Sequence, residues 1–283
     1  MGISQYIKEI GRGPRGSKPL TREQAADLFG QLLDGNVTDL EIGAFCLAMR
    51  IKGETPEEMC GFLGAAHSRM ALFPASDRPV IVLPSYNGAR KLPVLTPLLA
   101  LLLAREGLPV LLHGMRTEAR RTLASDVLLA LGVPALTAPE KIATGSVAHI
   151  ETGYLHAALA RLLKVREVVG LRNAGHSIVK LMNPCAGPAV VVTSYTHPEY
   201  YDMLQATFGA LHMTALLSRG LEGEVATDPR RTPRYDAFVA GVHQLLQEQQ
   251  PGTAADVPGL PTEIDIDTTA RYTQDVLDGR LPV

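Results

Sequence analysis

The sequence predicts an α/β protein, with a small all-α N-terminal domain followed by a larger α/β domain that has a central, mostly parallel sheet. Residues 1–72 carry only helical patterns, whereas apolar runs of strand length begin at Val80 and Leu108 with a helical segment between them. A strand, a helix and a second strand in succession are typical of a βαβ unit with parallel strands. Ligands of such sheets bind at the carboxyl ends of the strands.

The N-terminal region predicts helices with clear start and stop signals. Thr21, followed by Gln24, is typical of a capping box, and this helix is expected to run to about Leu33. Further helix starts are predicted at Thr38 or Asp39 and at Thr55-Pro56, with stops at Asp34-Gly35 and Gly53.

The remainder of the chain alternates between the two element types. Strands are predicted at 80–83, 108–112, 189–193 and 214–217, and helices at 93–104 and 120–131. The segment 142–182 is predicted to form helices broken by glycines, 251–261 a connector, and the last helix to begin at Asp267 or Thr268 and end at Gly279.

Composition limits the class of protein. Hydrophobic residues make up 46% of the 283 residues and Trp is absent, so the core must consist mainly of aliphatic side chains. No apolar run approaches the roughly 20 residues that span a bilayer, and the N-terminus lacks an apolar signal core, so a cytoplasmic protein with no membrane partner is expected. Cys46, Cys60 and Cys185 are widely spaced and are interpreted as core residues, not as a disulfide framework or zinc site.

Charge is distributed unevenly along the chain. The net charge is −2, which by itself does not favour nucleic acid as a partner. From Glu248 onward there are seven acidic residues and two arginines, a net of −5, so the preceding residues carry +3. Such asymmetry matters more for the choice of partner than the total does.

Basic and small residues follow both strands of the βαβ unit. Backbone N–H groups of the Asn87-Gly88 turn could cradle an anion, and the basic side chains could bind phosphate, although a solvated loop is as reasonable an interpretation. His113 could bind phosphate, act as a base or simply end its strand. The residues in question are Ser85, Tyr86, Asn87, Gly88, Arg90 and Lys91 after the first strand, and His113, Gly114, Arg116, Arg120 and Arg121 after the second.

A second basic stretch lies between residues 161 and 180, where Glu167 is the only acidic residue. A solvated helix face is the commoner explanation for such a run. The basic residues are Arg161, Lys164, Arg166, Arg172 and Lys180. Hydrolysis by a nucleophilic serine has no support, because no serine lies in a Gly-x-Ser-x-Gly turn.

Taken in order, these segments resemble the anthranilate phosphoribosyltransferase family. Residues 40–55 resemble its helical-domain pattern A-F-L-x-A-L-R-x-K-G-E-T, and residues 111–116 its A-K-H-G-N-R loop. Residues 125–132 resemble A-D-V-L-E-A-L-G, and residues 166–173 resemble R-R-x-L-G-x-R-T. The resemblance implies a helical domain of residues 1–75 with about 155–184, and an α/β domain of residues 76–154 and 185–283.

The resemblance also has departures. Residues 84–89, Pro-Ser-Tyr-Asn-Gly-Ala, stand where the family has Gly-Thr-Gly-Gly-Asp-Gly to wrap the diphosphate of its substrate. The family's Asp-Glu pair, which holds magnesium, falls near Val225-Ala226, with Glu222 and Glu224 close but out of register. These changes are similar to those of a divergent branch of the family that has lost the transferase chemistry and binds nucleic acid as a homodimer.

The resemblance therefore implies sequence-independent binding of DNA or RNA by a homodimer formed through the helical domain, with no catalytic residues, cofactor or metal. The alternatives are an active phosphoribosyltransferase or phosphorylase with an altered substrate, which would use magnesium, and a protein-interaction module. In the alternative enzyme, Tyr86 would stack on a base. The residues expected to bind phosphate groups are Arg90, Lys91, Arg116, Arg120, Arg121, Lys164, Arg166, Arg172 and Lys180. A residual phosphoribosyl pocket is expected at Ser85, Tyr86, Asn87, Gly88, His113 and Gly114.

Overall fold

The computed structural model describes residues 2–13, 15–118 and 120–282. Over these residues the chain forms eleven helices and eight strands. The helices are α1 (Ser4–Ile10), α2 (Arg22–Leu33), α3 (Asp39–Lys52), α4 (Pro56–His67), α5 (Thr96–Arg105), α6 (Ala124–Ala130), α7 (Thr152–Leu155), α8 (Ala157–Val169), α9 (Gly175–Ile178), α10 (Glu199–Ala210) and α11 (Ile266–Leu277). The strands are β1 (Val80–Pro84), β2 (Val110–Gly114), β3 (Ala135–Leu136), β4 (Val147–Glu151), β5 (Ala189–Tyr195), β6 (Ala215–Arg219), β7 (Tyr235–Val239) and β8 (Val242–Gln247).

All eight strands belong to one sheet, in the order β3-β4-β2-β1-β5-β6-β7-β8. The pairings from β3 to β6 are parallel, and only β7 and β8 are antiparallel. The predicted fold class, a helical N-terminal domain followed by a mostly parallel sheet, is therefore confirmed. Because parallel strands end at the same edge, the loops after β1, β2 and β5 lie side by side there.

Three capping boxes define the helical domain. The side chains of Thr21, Thr38 and Thr55 each accept a backbone N–H bond three residues ahead, as the sequence predicts for Thr21. The helices pack around the rings of Phe29, Phe45 and Phe62, all fully buried, with centroids 5.0–6.2 Å apart. α8 and α9 contact α2 and α4, so these later helices join the same layer.

Gly61 fixes how closely α4 approaches α2. A Cβ atom at this position would lie 2.3 Å from the backbone oxygen of Arg22 and 2.8 Å from the Cβ of Ala25. We expect Gly61→Ala to lower the free energy of unfolding by about 1–3 kcal/mol because the helices must separate. Gly64→Ala is the matched control in the same helix, since nothing lies within 4 Å of its Cβ position. Urea denaturation of both variants measures the difference, and equal stabilities would contradict the packing described.

The helix predicted at 120–131 is shorter than expected. α6 begins at Ala124, because residues before it form an extended segment tied to the loop after β1. The backbone N–H groups of Ala89 and Thr122 each donate to the other residue's oxygen, at 2.8 and 3.3 Å. Arg120 and Arg121 therefore precede the helix and do not lie in its first turn. The helix predicted at 93–104 is observed at Thr96–Arg105.

Other element predictions were right only in part: 142–182 does contain helices, with α8 ending at its C-cap Gly170. The segment 142–182 also contains the strand β4, which was not predicted. Two of its five residues are polar, so its own pattern does not indicate a strand; its parallel pairing with β2 makes it one. β7 and β8 were missed because β8 is exposed along nearly its whole length and shows no apolar alternation. α11 is capped by Asp265, two residues before the earlier of the two predicted positions.

Two further predictions concern the cysteines and the membrane. All three cysteines are unpaired and buried, as expected of core residues. Among the described residues, the helices are all too short or too polar to cross a bilayer.

Candidate functional site

The loops after β1 and β2 come together at the carboxyl edge of the sheet. The Arg121 guanidinium donates to the backbone oxygen of Asn87 at 3.2 Å, and the Thr117 hydroxyl donates to that of Tyr86 at 3.0 Å. The two basic loops predicted from the sequence therefore form one surface.

The backbone N–H groups of the first loop point at carboxylates of the protein itself. Asn87 and Gly88 both donate to Oε1 of Glu224 at 2.8 Å. Arg90 and Lys91 donate to Oε2 of Glu222, at 2.9 and 3.0 Å. The backbone N–H groups of this loop are thus arranged to bind anions, and the anions they bind are the carboxylates of Glu222 and Glu224 in the turn after β6. The sequence offered only a weak signal for this, the Glu-Gly-Glu spacing of residues 222–224.

Tyr86 is not available for stacking on a base. The side chain is 3% exposed, and its hydroxyl contacts Nδ1 of His113 at 2.9 Å and accepts from the Thr152 hydroxyl at 2.9 Å. The expected stacking role is wrong because this polar pair draws the ring into the core. Burial, together with the neighbouring His149, lowers the pKa of His113 to about 3.

The buried imidazole of His113 predicts a loss of stability in acid. Its folded-state pKa lies below the unfolded value near 6.5, so the stabilisation is complete above about pH 6.5 and is lost as pH falls towards 3. We expect His113→Asn, which cannot titrate, to lose about 2 kcal/mol less stability than the wild type between pH 7.5 and pH 5. Urea denaturation at both pH values measures this, with the exposed His212→Asn as control. Equal pH dependence of the His113 variant and the wild type would contradict the assignment.

Glu118 lies at the centre of three arginines from distant parts of the chain. Its carboxylate is 3.0 Å from Arg121, 2.8 Å from Arg166 and 3.3 Å from Arg172. Although burial alone would raise the pKa of Glu118, the Arg166 hydrogen bond and the charges of Arg121 and Arg166 lower it overall. The basic stretch is therefore opposed by Glu118 as well as Glu167, which the sequence could not reveal. One carboxylate against three guanidinium groups leaves an excess of positive charge.

The other predicted basic residues differ in their surroundings. Arg90, Lys91 and Arg120 are exposed, and Arg116, also exposed, pairs with Asp126 at 2.5 Å. Lys164 is exposed on α8, two residues from Arg166, so it projects to a different side of that helix. No contact among the described residues joins Lys164 to the others.

A cleft of about 220 Å³ opens between the end of α3 and the carboxyl end of β5. Lys180 and Arg172 line it, with Arg50, His176 and Ser194. Burial, followed by the positive charge of Arg172, lowers the pKa of Lys180 to about 8, while Glu224 opposes the shift. Of these, sequence reasoning missed Arg50, His176 and Ser194 as parts of a site, because they come from three separate elements.

Comparison with known proteins assigns the chain to a family. Residues 4–70 match the family described as "Glycosyl transferase family, helical bundle domain". The chain is 32% identical to an anthranilate phosphoribosyltransferase of Methylobacterium nodulans, over 79% of this chain and 67% of that protein. The chain belongs to the anthranilate phosphoribosyltransferase-like family.

Other similar proteins extend the likeness. The chain is 37% identical to the uncharacterized protein YbiB of Escherichia coli, over 100% of this chain and 90% of that one. The crystal structure of anthranilate phosphoribosyltransferase from Thermus thermophilus superposes with a TM-score of 0.76 at 21% identity, over 99% of this chain and 83% of that one. The structure of the Saccharomyces cerevisiae anthranilate phosphoribosyltransferase in complex with PRPP and Mg superposes with a TM-score of 0.70 at 14% identity, over 98% of this chain and 82% of that one. At these identities, the two structures establish the fold.

Proposed function

We propose that this protein binds DNA or RNA through the phosphate backbone, without reading base sequence, as a homodimer. It carries out no phosphoribosyl transfer. In this proposal the binding surface is the carboxyl edge of the sheet, which the phosphate groups of the nucleic acid cross.

The observation that carries the proposal is the group of cations at this edge, named here the cationic edge. It consists of Arg90, Lys91, Arg116, Arg120, Arg121, Arg166, Arg172 and Lys180. Three carboxylates pair with it among the described residues, those of Glu118, Asp126 and Glu222. The excess of cations over carboxylates favours a polyanion, and arginine suits phosphate oxygens because its guanidinium can donate two parallel hydrogen bonds.

The burial of Tyr86 favours backbone contacts over contacts with bases at the first loop. Proteins that bind single strands through bases present exposed aromatic rings. Tyr86, the aromatic residue of the loop after β1, is 3% exposed and offers no such ring. Contacts restricted to phosphates position a protein on nucleic acid but carry no sequence information.

The surroundings of the first loop disfavour phosphoribosyl transfer. A diphosphate needs the backbone N–H groups of Asn87 and Gly88, which donate to Glu224 instead. Magnesium on a diphosphate is usually held by one or two carboxylates besides the phosphates, and the two carboxylates nearest this loop, those of Glu222 and Glu224, accept its backbone N–H groups instead. The residues present therefore do not fit a magnesium-bound diphosphate.

An apolar stripe on α3 supports the homodimer. Leu40, Leu47 and Ile51 lie on one face of the helix and are 83%, 46% and 61% exposed. A second copy of this surface would cover the stripe by two-fold symmetry. The dimer would then carry two copies of the cationic edge.

Phosphoribosyl transfer remains the second candidate, because the chain is 32% identical to a protein named as such an enzyme. It predicts binding of phosphoribosyl pyrophosphate in the presence of magnesium. Isothermal titration calorimetry with that compound and magnesium is expected to give no heat of binding.

A mobility-shift assay at low salt tests the proposed function. Two DNA duplexes of unrelated sequence and one RNA are each expected to shift, the two duplexes at the same protein concentration. Absence of any shift, or a clear preference for one duplex, would contradict the proposal.

A further inference from the structure

One carboxylate holds three of the arginines that belong to the cationic edge. Glu118 lies outside any helix or strand, and its carboxylate lies within 3.3 Å of Arg121, Arg166 and Arg172, named here the arginine cluster. Among the described residues, these three guanidinium groups have no other carboxylate at ion-pair distance. Any anion that approaches the arginine cluster therefore competes with Glu118.

The arginine cluster is open enough for an external anion to reach it. The side chains of Glu118, Arg166 and Arg172 are 27%, 22% and 35% exposed. Arg121 is more enclosed, and it also donates to the backbone oxygen of Asn87 at 3.2 Å, which keeps it in place when the carboxylate leaves. Ion pairs that are exposed to this degree contribute little to stability, so an external anion can displace Glu118.

The anion that suits the arginine cluster is a phosphodiester. A phosphodiester carries one negative charge on two terminal oxygens, as a carboxylate does, and guanidinium groups donate paired hydrogen bonds to either. One carboxylate does not neutralise three guanidinium groups. Burial, followed by the positive charge of Arg166, lowers the pKa of Arg172, and Glu118 opposes this shift only in part. A phosphate of a nucleic-acid backbone can therefore take the place of Glu118 without any rearrangement of the donors.

We propose that Glu118 is an internal competitor of nucleic acid, and that one phosphate of the bound backbone takes its place in the arginine cluster. Because the carboxylate is tethered, it competes at a high effective concentration and weakens binding by the wild type. The inference rests on the proposed function and adds an autoinhibitory contact to the same surface. In the free protein Glu118 occupies the arginine cluster, and it must leave before these arginines can contact the backbone.

The test is the Glu118→Gln variant, which keeps the size of the side chain and removes its charge. Fluorescence anisotropy with a labelled duplex is expected to give an affinity at least about threefold higher than that of the wild type, because the phosphate no longer displaces a charged competitor. In the variant the arginine cluster holds a mobile counterion, which nucleic acid releases on binding. The slope of log affinity against log salt is therefore expected to be steeper by about 0.9. A carboxylate that only ordered the three arginines would give the opposite result, a loss of affinity on replacement.

A matched control separates the position of the charge from its loss. Asp77→Asn also removes one negative charge, and it frees Lys141, whose ammonium lies 2.7 Å from Asp77 at the opposite edge of the sheet. This variant is expected to raise the affinity only slightly and to leave the salt slope unchanged. Equal gains in the two variants would mean that net charge, not competition by Glu118, is responsible, and would overturn the proposal.

The proposal is overturned if folded Glu118→Gln binds the duplex no more tightly than the wild type, or if its salt slope is unchanged. Should Glu118→Gln fail to fold, Glu118→Asp retracts the carboxylate by one methylene and is expected to bind more tightly than the wild type; no gain would then count against the proposal. The proposed function is judged from the wild type. A wild type that binds beside a variant that gains nothing refutes only the internal competitor, whereas absence of binding by both proteins refutes both proposals.

Discussion

Reversing three charges on the cationic edge is expected to weaken nucleic-acid binding by about 100-fold or more. The variant combines Arg90→Glu, Lys91→Glu and Arg120→Glu. All three side chains are exposed. The guanidinium of Arg90 lies 3.7 Å from Glu222, but an ion pair at such an exposed arginine contributes little to stability, so its loss should not unfold the loop. The effect on binding should therefore exceed the effect on stability.

The salt dependence distinguishes lost phosphate contacts from general damage. Each lost contact removes about 0.9 from the slope of log affinity against log salt, so three lost contacts reduce it by about 3. Fluorescence anisotropy with a labelled duplex at several salt concentrations gives both affinity and slope.

The same chain provides a matched control at the opposite edge of the sheet. Arg78, Arg105 and Lys141 are exposed and precede strands β1, β2 and β4. Reversing these three charges changes the net charge equally but leaves the cationic edge intact, so affinity should fall only slightly. Equal losses in both triple variants would mean that overall charge, not the carboxyl edge, governs binding.

The second large effect is expected from the apolar stripe on α3. Replacing Leu47 and Ile51 with Asp should convert the homodimer into a monomer, because two buried charges on each copy would face each other across the interface. Losing one of two linked binding surfaces should lower nucleic-acid affinity by about tenfold or more. Analytical ultracentrifugation measures the first outcome, and anisotropy the second.

The antiparallel edge of the sheet supplies the control for this pair. Val242 and Leu246 on β8 are exposed apolar residues, 64% and 61% accessible. Replacing both with Asp alters an apolar surface of similar character and should leave the dimer intact. A wild type that is monomeric, or an α3 variant that remains dimeric, would contradict the proposed interface.

Local signals explain which parts of the fold could be predicted. The capping box at Thr21 needs only residues three positions apart, and the sequence contains both partners. The two basic loops could be placed together because parallel strands necessarily end at one edge. By contrast, β8 has no apolar alternation, so only its pairing with β7 identifies it as a strand.

The candidate site was predictable only in its basic half. Arginines and lysines near strand ends are visible in the sequence, but their acidic partners are not. Glu224 and Asn87, which are hydrogen-bonded, are 137 positions apart in the sequence, and Glu118 and its partner Arg172 are 54 positions apart. The burial of Tyr86 likewise depends on His113 and Thr152, which lie on other strands or helices. Contacts at such separations follow from the folded topology and have no local signature.

The most direct test of sequence-independent phosphate recognition is the salt dependence of wild-type binding to two unrelated duplexes, measured by fluorescence anisotropy. Equal affinities for the two duplexes are expected at every salt concentration, with a steep linear fall of log affinity against log salt that corresponds to several phosphate contacts. No binding at low salt, affinities that differ between the sequences, or binding that is insensitive to salt would contradict sequence-independent phosphate recognition.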